Sequence, residues 1–138
     1  MKRVGFTGTR NGMTEAQKEA VRRELRGADT FHHGDCVGAD AEAHRIARVQ
    51  RIPVVIHPPV DQAHRAFCED YDGMHPQKTH FARNRDIVDA CDVLIATPWQ
   101  TREPVPSKGG TWYTVGYARK KQKPIVIVWP DGSILGES

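Results

Sequence analysis

The chain has 138 residues, the length of one ordinary domain, and its 38% hydrophobic and 27% charged content excludes a disordered chain. A domain of this size buries roughly two-thirds of its unfolded surface, so neither disulfides nor a structural metal are needed to hold it. The net charge of +3, from 20 Lys+Arg against 17 Asp+Glu, is a small excess that fits a small phosphorylated partner as well as a nucleic acid, and with no Lys/Arg stripe in the sequence it gives extended DNA binding little support.

No apolar run approaches about 18 residues, so no membrane-spanning helix is expected. The opening MKRVGFTGTR has two basic residues with no apolar stretch behind them, unlike a secretory leader. Cys36, Cys68 and Cys91 are odd in number and form no C-x-x-C. Reduced thiols in a cytoplasmic protein are the expectation.

Taken in order, β and α signals alternate. Arg3–Thr7 (RVGFT) is a short β-rich run ending at Gly8. Thr14–Arg26 is helical, with Thr14 and Gln17 forming a capping box and Gly27 closing the helix. Thr30–His33 (TFHH) is a second strand. Ala39–Gln50 places Ala39, Ala43, Ile46, Ala47 and Gln50 near one helical face. Pro53–His57 (PVVIH) is an apolar strand stopped by Pro58-Pro59. Residues 60–78 show no period and read as a long loop of the lid or binding kind. Thr79–Ala90 is helical, with Phe81, Ile87, Val88 and Cys91 on its buried side. Asp92–Thr97 (DVLIAT) is the clearest buried strand. A Pro-rich loop, Trp99–Lys108, leads to a helix over Thr111–Lys121. Pro124–Trp129 (PIVIVW) is the last strong strand, and Pro130–Ser138 reads as a turn and tail with a small hairpin around Asp131-Gly132.

Apolar strands alternating with helices mean parallel pairing with helices on both faces. The expected fold is therefore α/β, a single-domain, three-layer, Rossmann-like doubly wound sandwich. It has a mainly parallel sheet of about five strands, with residues 3–129 as its core and 130–138 as its tail.

Ligands bind such sheets beyond the carboxyl ends of the strands. Three glycine-rich segments follow strands and lead into helices: Gly8-Thr9-Arg10-Asn11-Gly12, Gly34-Asp35-Cys36-Val37-Gly38-Ala39-Asp40, and, past Thr97-Pro98 and the Pro-rich loop, Ser107-Lys108-Gly109-Gly110-Thr111. Each glycine taken singly is explained by a tight turn. Three such segments at one sheet edge, with Thr9, Arg10, Lys108 and Thr111 alongside, suit a phosphate, because helix N-termini offer unpaired N–H groups and partial positive charge. Neither G-x-G-x-x-G nor G-x-x-x-x-G-K-[ST] occurs, which points to a mononucleotide or nucleotide fragment rather than a dinucleotide such as NAD or a Walker-type NTP site.

Asp35 and Asp40 are candidates for binding ribose hydroxyls or for general-base work, with helix capping the competing role for Asp40. Arg83 and Arg85 are two apart on one helix and cannot share a face, so one reaches the pocket while the other is solvated. His57, His64, His75 and His80 bracket the long loop. His64 and Cys68 form the better-spaced metal pair, yet exposed loop histidines are the simpler expectation and no metal or other cofactor is assigned. His32 and His33 alternate across a strand, so at most one faces a pocket. There is no G-x-S-x-G, and aromatic and basic residues do not interleave as in a single-strand-binding platform.

The segments GFTGTR, HHGDCVGADAEAHRIA, FARNRDIVDACDVLIATP and KGGTW together resemble the SLOG superfamily, which includes LOG-type nucleotide phosphoribohydrolases and DprA-like DNA-processing proteins. The closest similarity is to its small stand-alone members related to YspA, over about residues 3 to 129. G34-D-x-x-G38-A-D40-x-x-A43-H44 carries the most specific part of it. Arg83, nine residues before Asp92, stands where LOG-type enzymes carry an arginine.

The resemblance implies nucleotide binding by Gly8, Thr9, Arg10, Gly34, Gly38, Arg83, Asn84, Thr97, Gly109, Gly110 and Thr111, and a homodimer. LOG-type enzymes carry P-G-G-x-G-T-x-x-E with a catalytic Glu, and Thr114 stands in its place here. A hydroxyl cannot replace a carboxylate in stabilising an oxocarbenium-like centre. The leading expectation is a sensor or binding protein for a nucleotide-derived phosphorylated ligand. The alternatives are a nucleoside 5′-monophosphate N-glycosidase that uses Asp35 or Asp40, and a DprA-like nucleic-acid-associated protein.

Overall fold

A computed structural model describes residues 1–138. Its elements, in chain order, are β1 (Arg3–Gly8), α1 (Glu15–Glu24), β2 (Thr30–His33), α2 (Ala39–Val49), β3 (Val54–Ile56), a 3₁₀ turn at Gln62–His64, β4 (Gly73–Met74), α3 (His80–Ala90), β5 (Val93–Thr97), α4 (Gly110–Lys120), β6 (Ile125–Val128) and β7 (Ile134–Glu137). The seven strands form one sheet in the order β4-β3-β2-β1-β5-β6-β7. All pairings are parallel except β6–β7. The chain winds outward from β1 through β2 and β3, then crosses to β5 and β6, so the switch point lies between β1 and β5.

Strand alternation sets the two layers. Val4 and Phe6 join Phe31, Val54 and Ile56 under α1 and α2. Gly5 lies against Ile87 of α3 and Cys91 at its C-cap, and Leu94, Ile125 and Ile127 pack with Trp112 and Val115 of α4. Each side of the sheet thus carries its own apolar core, the doubly wound arrangement expected from the sequence.

The sheet has two strands more than the five expected. One comes from the long loop. Gly73–Met74 pairs with β3, fixed by the Asp72 carboxylate, which accepts from Val54 N at 2.8 Å and pairs with Arg48 at 2.6 Å. The other is β7, the return strand of the terminal hairpin, which closes on β6 from Val128↔Ile134 to Ile125↔Glu137. No helix is long and apolar enough to cross a membrane.

Gln17 ties the helix layer to the working edge of the sheet. Its Oε1 accepts from Thr14 N and the Thr14 hydroxyl accepts from Gln17 N, both at 3.0 Å, completing the capping box. The same buried amide donates to Pro98 O at 2.9 Å, just past β5, and to Val128 O at 3.0 Å, the last residue of β6. Gln17→Ala removes a cap and strands two buried carbonyls. It is expected to lower the unfolding free energy by about 2–4 kcal/mol, read as a shift in urea midpoint with unchanged slope.

Candidate functional site

Beyond the carboxyl ends of the strands lies a cavity of about 430 Å³, walled by the end of β1 (Phe6, Thr7, Gly8), by Arg10, by the β2–α2 segment (Gly34, Cys36, Asp40), by the first turns of α3 (Thr79 to Ile87) and by Gly110 and Thr111 of α4. Gly8 is required by close approach. A Cβ there would run into the Thr97 hydroxyl and the Ala39 methyl, so only glycine lets α2 start this near β1.

Arg83 is 5% exposed and forms no ion pair. Its Nη1 donates to Gly34 O and, at 3.0 Å, to His57 O. Nε donates to the Asn84 side chain, and Nη2 contacts Cys36 Sγ at 3.2 Å and His80 Nδ1 at 3.1 Å. The geometry is held by carbonyl dipoles and neutral groups, so the charge is oriented without being cancelled by a neighbouring carboxylate. Arg85, two residues on, turns to the surface and donates to Tyr113 Oη at 2.7 Å.

The opposite wall is the N-terminus of α4. Gly109 is its N-cap, at φ 106°, and supplies no side-chain cap. The first intrahelical bond runs from Tyr113 N to Gly109 O, which leaves the earlier N–H groups of the turn directed outward with the positive end of the helix dipole. Arg10 adds a second, exposed cation.

Asp40 is the one carboxylate on the cavity wall. It accepts from Cys36 N at 3.2 Å. Burial pushes its pKa up to about 6, against the downward pull of Arg83. Asp35 sits elsewhere. Fully buried and at φ 55°, it pairs with Arg65 at 2.7 Å and accepts from Cys68 N at 2.8 Å, pinning the 65–68 stretch. Its carboxylate faces the long loop and does not line the cavity, so the expected role in sugar binding or base chemistry gives way to a structural one.

Three other expected site residues also stand behind the cavity surface. Gly38, at φ 87°, lies against the Arg10 backbone, where a Cβ would collide with the Arg10 carbonyl. Thr97 is fully buried with its hydroxyl unpartnered. Gly109 acts through the helix start rather than through the cavity lining. Gly8, Arg10, Gly34, Asp40, Arg83, Asn84, Gly110 and Thr111 share the cavity, and Thr9 lines the hollow next to it.

Sequence reasoning missed Thr7, Cys36, Thr79, His80 and Phe81 on the cavity wall. His80 carried one available signal, its place one turn before Arg83 on the same helix. The long loop contributes nothing to that wall. It is tied down by the Asp35–Arg65 pair, by Val60 N on Lys78 O and by β4, so it braces the sheet edge and is not a free lid.

His57 is buried, contrary to the expectation of an exposed loop histidine, and hydrogen-bonds His32 at 3.0 Å. The nearest approach to a metal-ligand set is His33, His44 and Cys68, whose ligand atoms lie within 4.8 Å of one another. Cys68 therefore sits with these two rather than with His64. Hydrogen bonds already fill that set. Asp35 N donates to His33 Nδ1, so His33 Nε2 carries the proton and donates to His44 Nδ1 at 2.9 Å; His44 Nε2 then donates to Glu69 O at 2.7 Å. A metal on His33 Nε2 would leave a protonated Nδ1 facing the Asp35 N–H. The Cys68 thiol is pushed up to about 12 by burial and by its hydrogen bond to Asp35, away from the thiolate a metal needs. The residues close a neutral hydrogen-bond chain and do not fit a metal.

No family model matches the sequence, and no curated protein does either. Solved structures do match. The molybdenum cofactor binding protein of Rippkaea orientalis superposes with a TM-score of 0.70 at 21% identity, over 93% of this chain and 76% of that one. The molybdenum cofactor carrier protein of Chlamydomonas reinhardtii gives 0.64 at 20% identity, over 91% and 75%. DprA, the DNA processing protein of Streptococcus pneumoniae, gives 0.69 at 18% identity, over 92% of this chain and 50% of that one. The chain shares the fold of these structures. Identities this low carry the architecture only. Thr114, which stands where the resemblance to LOG-type sequences would place a glutamate, is fully buried and donates to Gly110 O at 2.9 Å. That position presents no acid to the cavity.

The buried titratable groups set an acid limit on the fold. Burial lowers His32 to about 4 and His57 to about 3, and lowers His33 well below its usual value. The unfolded chain takes up these protons near pH 6.5, so stability present above that pH is lost as pH falls toward 4. Asp40 acts in the opposite direction: its raised pKa favours the fold on acidification from about 6 to 3.8. Three histidines outweigh one carboxyl, so urea midpoints should drop steadily from pH 7 to pH 5. Asp40→Asn should steepen that drop.

Proposed function

We propose that this protein binds a nucleotide or nucleotide-derived phosphorylated small molecule at the C-terminal edge of its parallel sheet, as a sensor or binding protein. The observation that carries this reading is the buried, carboxylate-free Arg83 guanidinium on one wall of the cavity. The uncapped start of α4 on the other wall and Arg10 at the rim support it. A dianionic phosphate supplies the charge such a site lacks, and backbone N–H groups supply its hydrogen bonds. Asn84 of α3 and Asp40 of α2 offer an acceptor and donor set for sugar hydroxyls in the same cavity. Two of the structural neighbours are described as binding or carrying molybdenum cofactor, so that compound belongs in the ligand panel beside the nucleotides. A homodimer in the cytoplasm is part of the same reading, and nucleic acid is the less favoured partner at a net charge of +3.

Calorimetry with the nucleoside 5′-monophosphates and molybdenum cofactor tests this. One of them should bind saturably, and Arg10→Ala, which removes a side chain with no intramolecular partner, should weaken it roughly tenfold through loss of one charge-assisted contact. Saturable binding of none of these compounds would overturn the reading, and affinity unchanged by Arg10→Ala would take Arg10 out of it.

One observation favours turnover as a second reading: Asp40 is buried, faces the cavity and has a pKa near 6, suitable for protonating a departing base. In that case incubation with the bound nucleotide releases free base, and Asp40→Asn stops the release while binding persists. Saturable binding without release assigns the protein to the sensor class.

A further inference from the structure

A second hollow of about 290 Å³ adjoins the first, lined by Gly8, Thr9, Arg10, Asn11, Trp99, Gly110 and Thr111. Gly8, Arg10, Gly110 and Thr111 belong to both. Arg10 and the start of α4 therefore stand where two lobes of one depression meet, while Arg83 lines the larger lobe alone.

Each lobe carries one exposed aromatic ring. Phe81, 53% exposed, edges the larger lobe and leans on Tyr113 at a ring separation of 4.2 Å. Trp99, 63% exposed, edges the smaller one. The two other tryptophans pair with each other at 6.0 Å, whereas Trp99 stacks on no ring and its indole N–H meets no acceptor within the chain. Its backbone is nevertheless held, because the preceding Pro98 carbonyl accepts from the buried Gln17 amide. An indole fixed at its base and free at its face is a preorganised stacking surface.

We infer that the site takes a ligand with two planar ends joined through phosphate, a dinucleotide-type compound, with the linking phosphates at the Arg10–Gly110–Thr111 span and one ring on Trp99. This rests on the phosphate-site reading above and extends it. A single mononucleotide fills one lobe and leaves the other aromatic wet. The absent G-x-G-x-x-G does not oppose it, since the phosphate-facing N–H groups here come from the start of α4, a different loop from the one that motif builds.

The test measures wild type, Trp99→Ala and Trp99→Phe by calorimetry against the nucleoside monophosphates and the matching symmetric dinucleoside 5′,5′-diphosphates. One dinucleotide should bind wild type at least about tenfold tighter than its monophosphate, and Trp99→Ala should weaken it about ten- to a hundredfold, the value of one base–aromatic stack. Trp99→Phe should keep most of the affinity, and the surface position of the ring leaves folding intact, checked by thermal unfolding. Monophosphate binding with no gain for any dinucleotide, or dinucleotide binding indifferent to Trp99→Ala, overturns the two-lobe inference and leaves the phosphate site standing. Binding of neither class to wild type overturns both. A Trp99→Ala effect confined to self-association also overturns it and assigns the ring to a protein contact.

Discussion

The structure turns on a buried positive charge that no carboxylate touches. Taking a guanidinium out of water costs several kcal/mol unless its donors are satisfied. Arg83 meets that cost with the carbonyls of Gly34 and His57 and the side chain of Asn84. Those carbonyls lie at the ends of β2 and β3, so one side chain of α3 locks three elements at the sheet edge. Carbonyl dipoles satisfy hydrogen-bond geometry but leave the field of the charge directed into the cavity. A carboxylate in the same place would have fixed α3 equally well and cancelled the field. The fold is thereby stabilised and charged by one residue whose five N–H groups are all engaged, so an anion entering the cavity meets its field and takes its hydrogen bonds from Arg10 and the start of α4.

Much of this architecture was legible because it is written in local patterns. The apolar runs at 54–56, 93–97 and 125–128, the Thr14–Gln17 box and the glycine-rich segments are each decided within a few residues of chain. What stayed hidden depends on partners far away in sequence. β4 is two residues long, too short for any period, and exists because Asp72 grips Val54 N and Arg48. Asp35 looked like a ligand-facing acid because it follows a strand among glycines. Its actual partner, Arg65, is 30 positions on, and nothing local to either residue announces the pair.

The same limit explains the histidines. Local spacing suggested His64 with Cys68, whereas the fold collects His33, His44 and Cys68 from β2, α2 and the long loop. Whether such a trio holds a metal is decided by where its protons point, and a single backbone N–H on His33 Nδ1 decides it here. A cluster of ligand-type residues is not a site until its hydrogen bonds are accounted for.

The two acids that sequence placed together have opposite fates, and the difference bears on chemistry. Asp35 is neutralised by Arg65 and closed off from solvent. Asp40 has no ion-pair partner in contact, and its pKa is set by burial, offset by the Arg83 charge. That offset is available to a ligand. An anion seated beside Arg83 competes for the same positive field, which raises Asp40 further and moves it toward the protonated form at neutral pH. Binding and proton donation would then be coupled through one guanidinium. With Thr114 sealed inside α4, Asp40 on the α2 wall is the one side-chain carboxyl that faces this cavity.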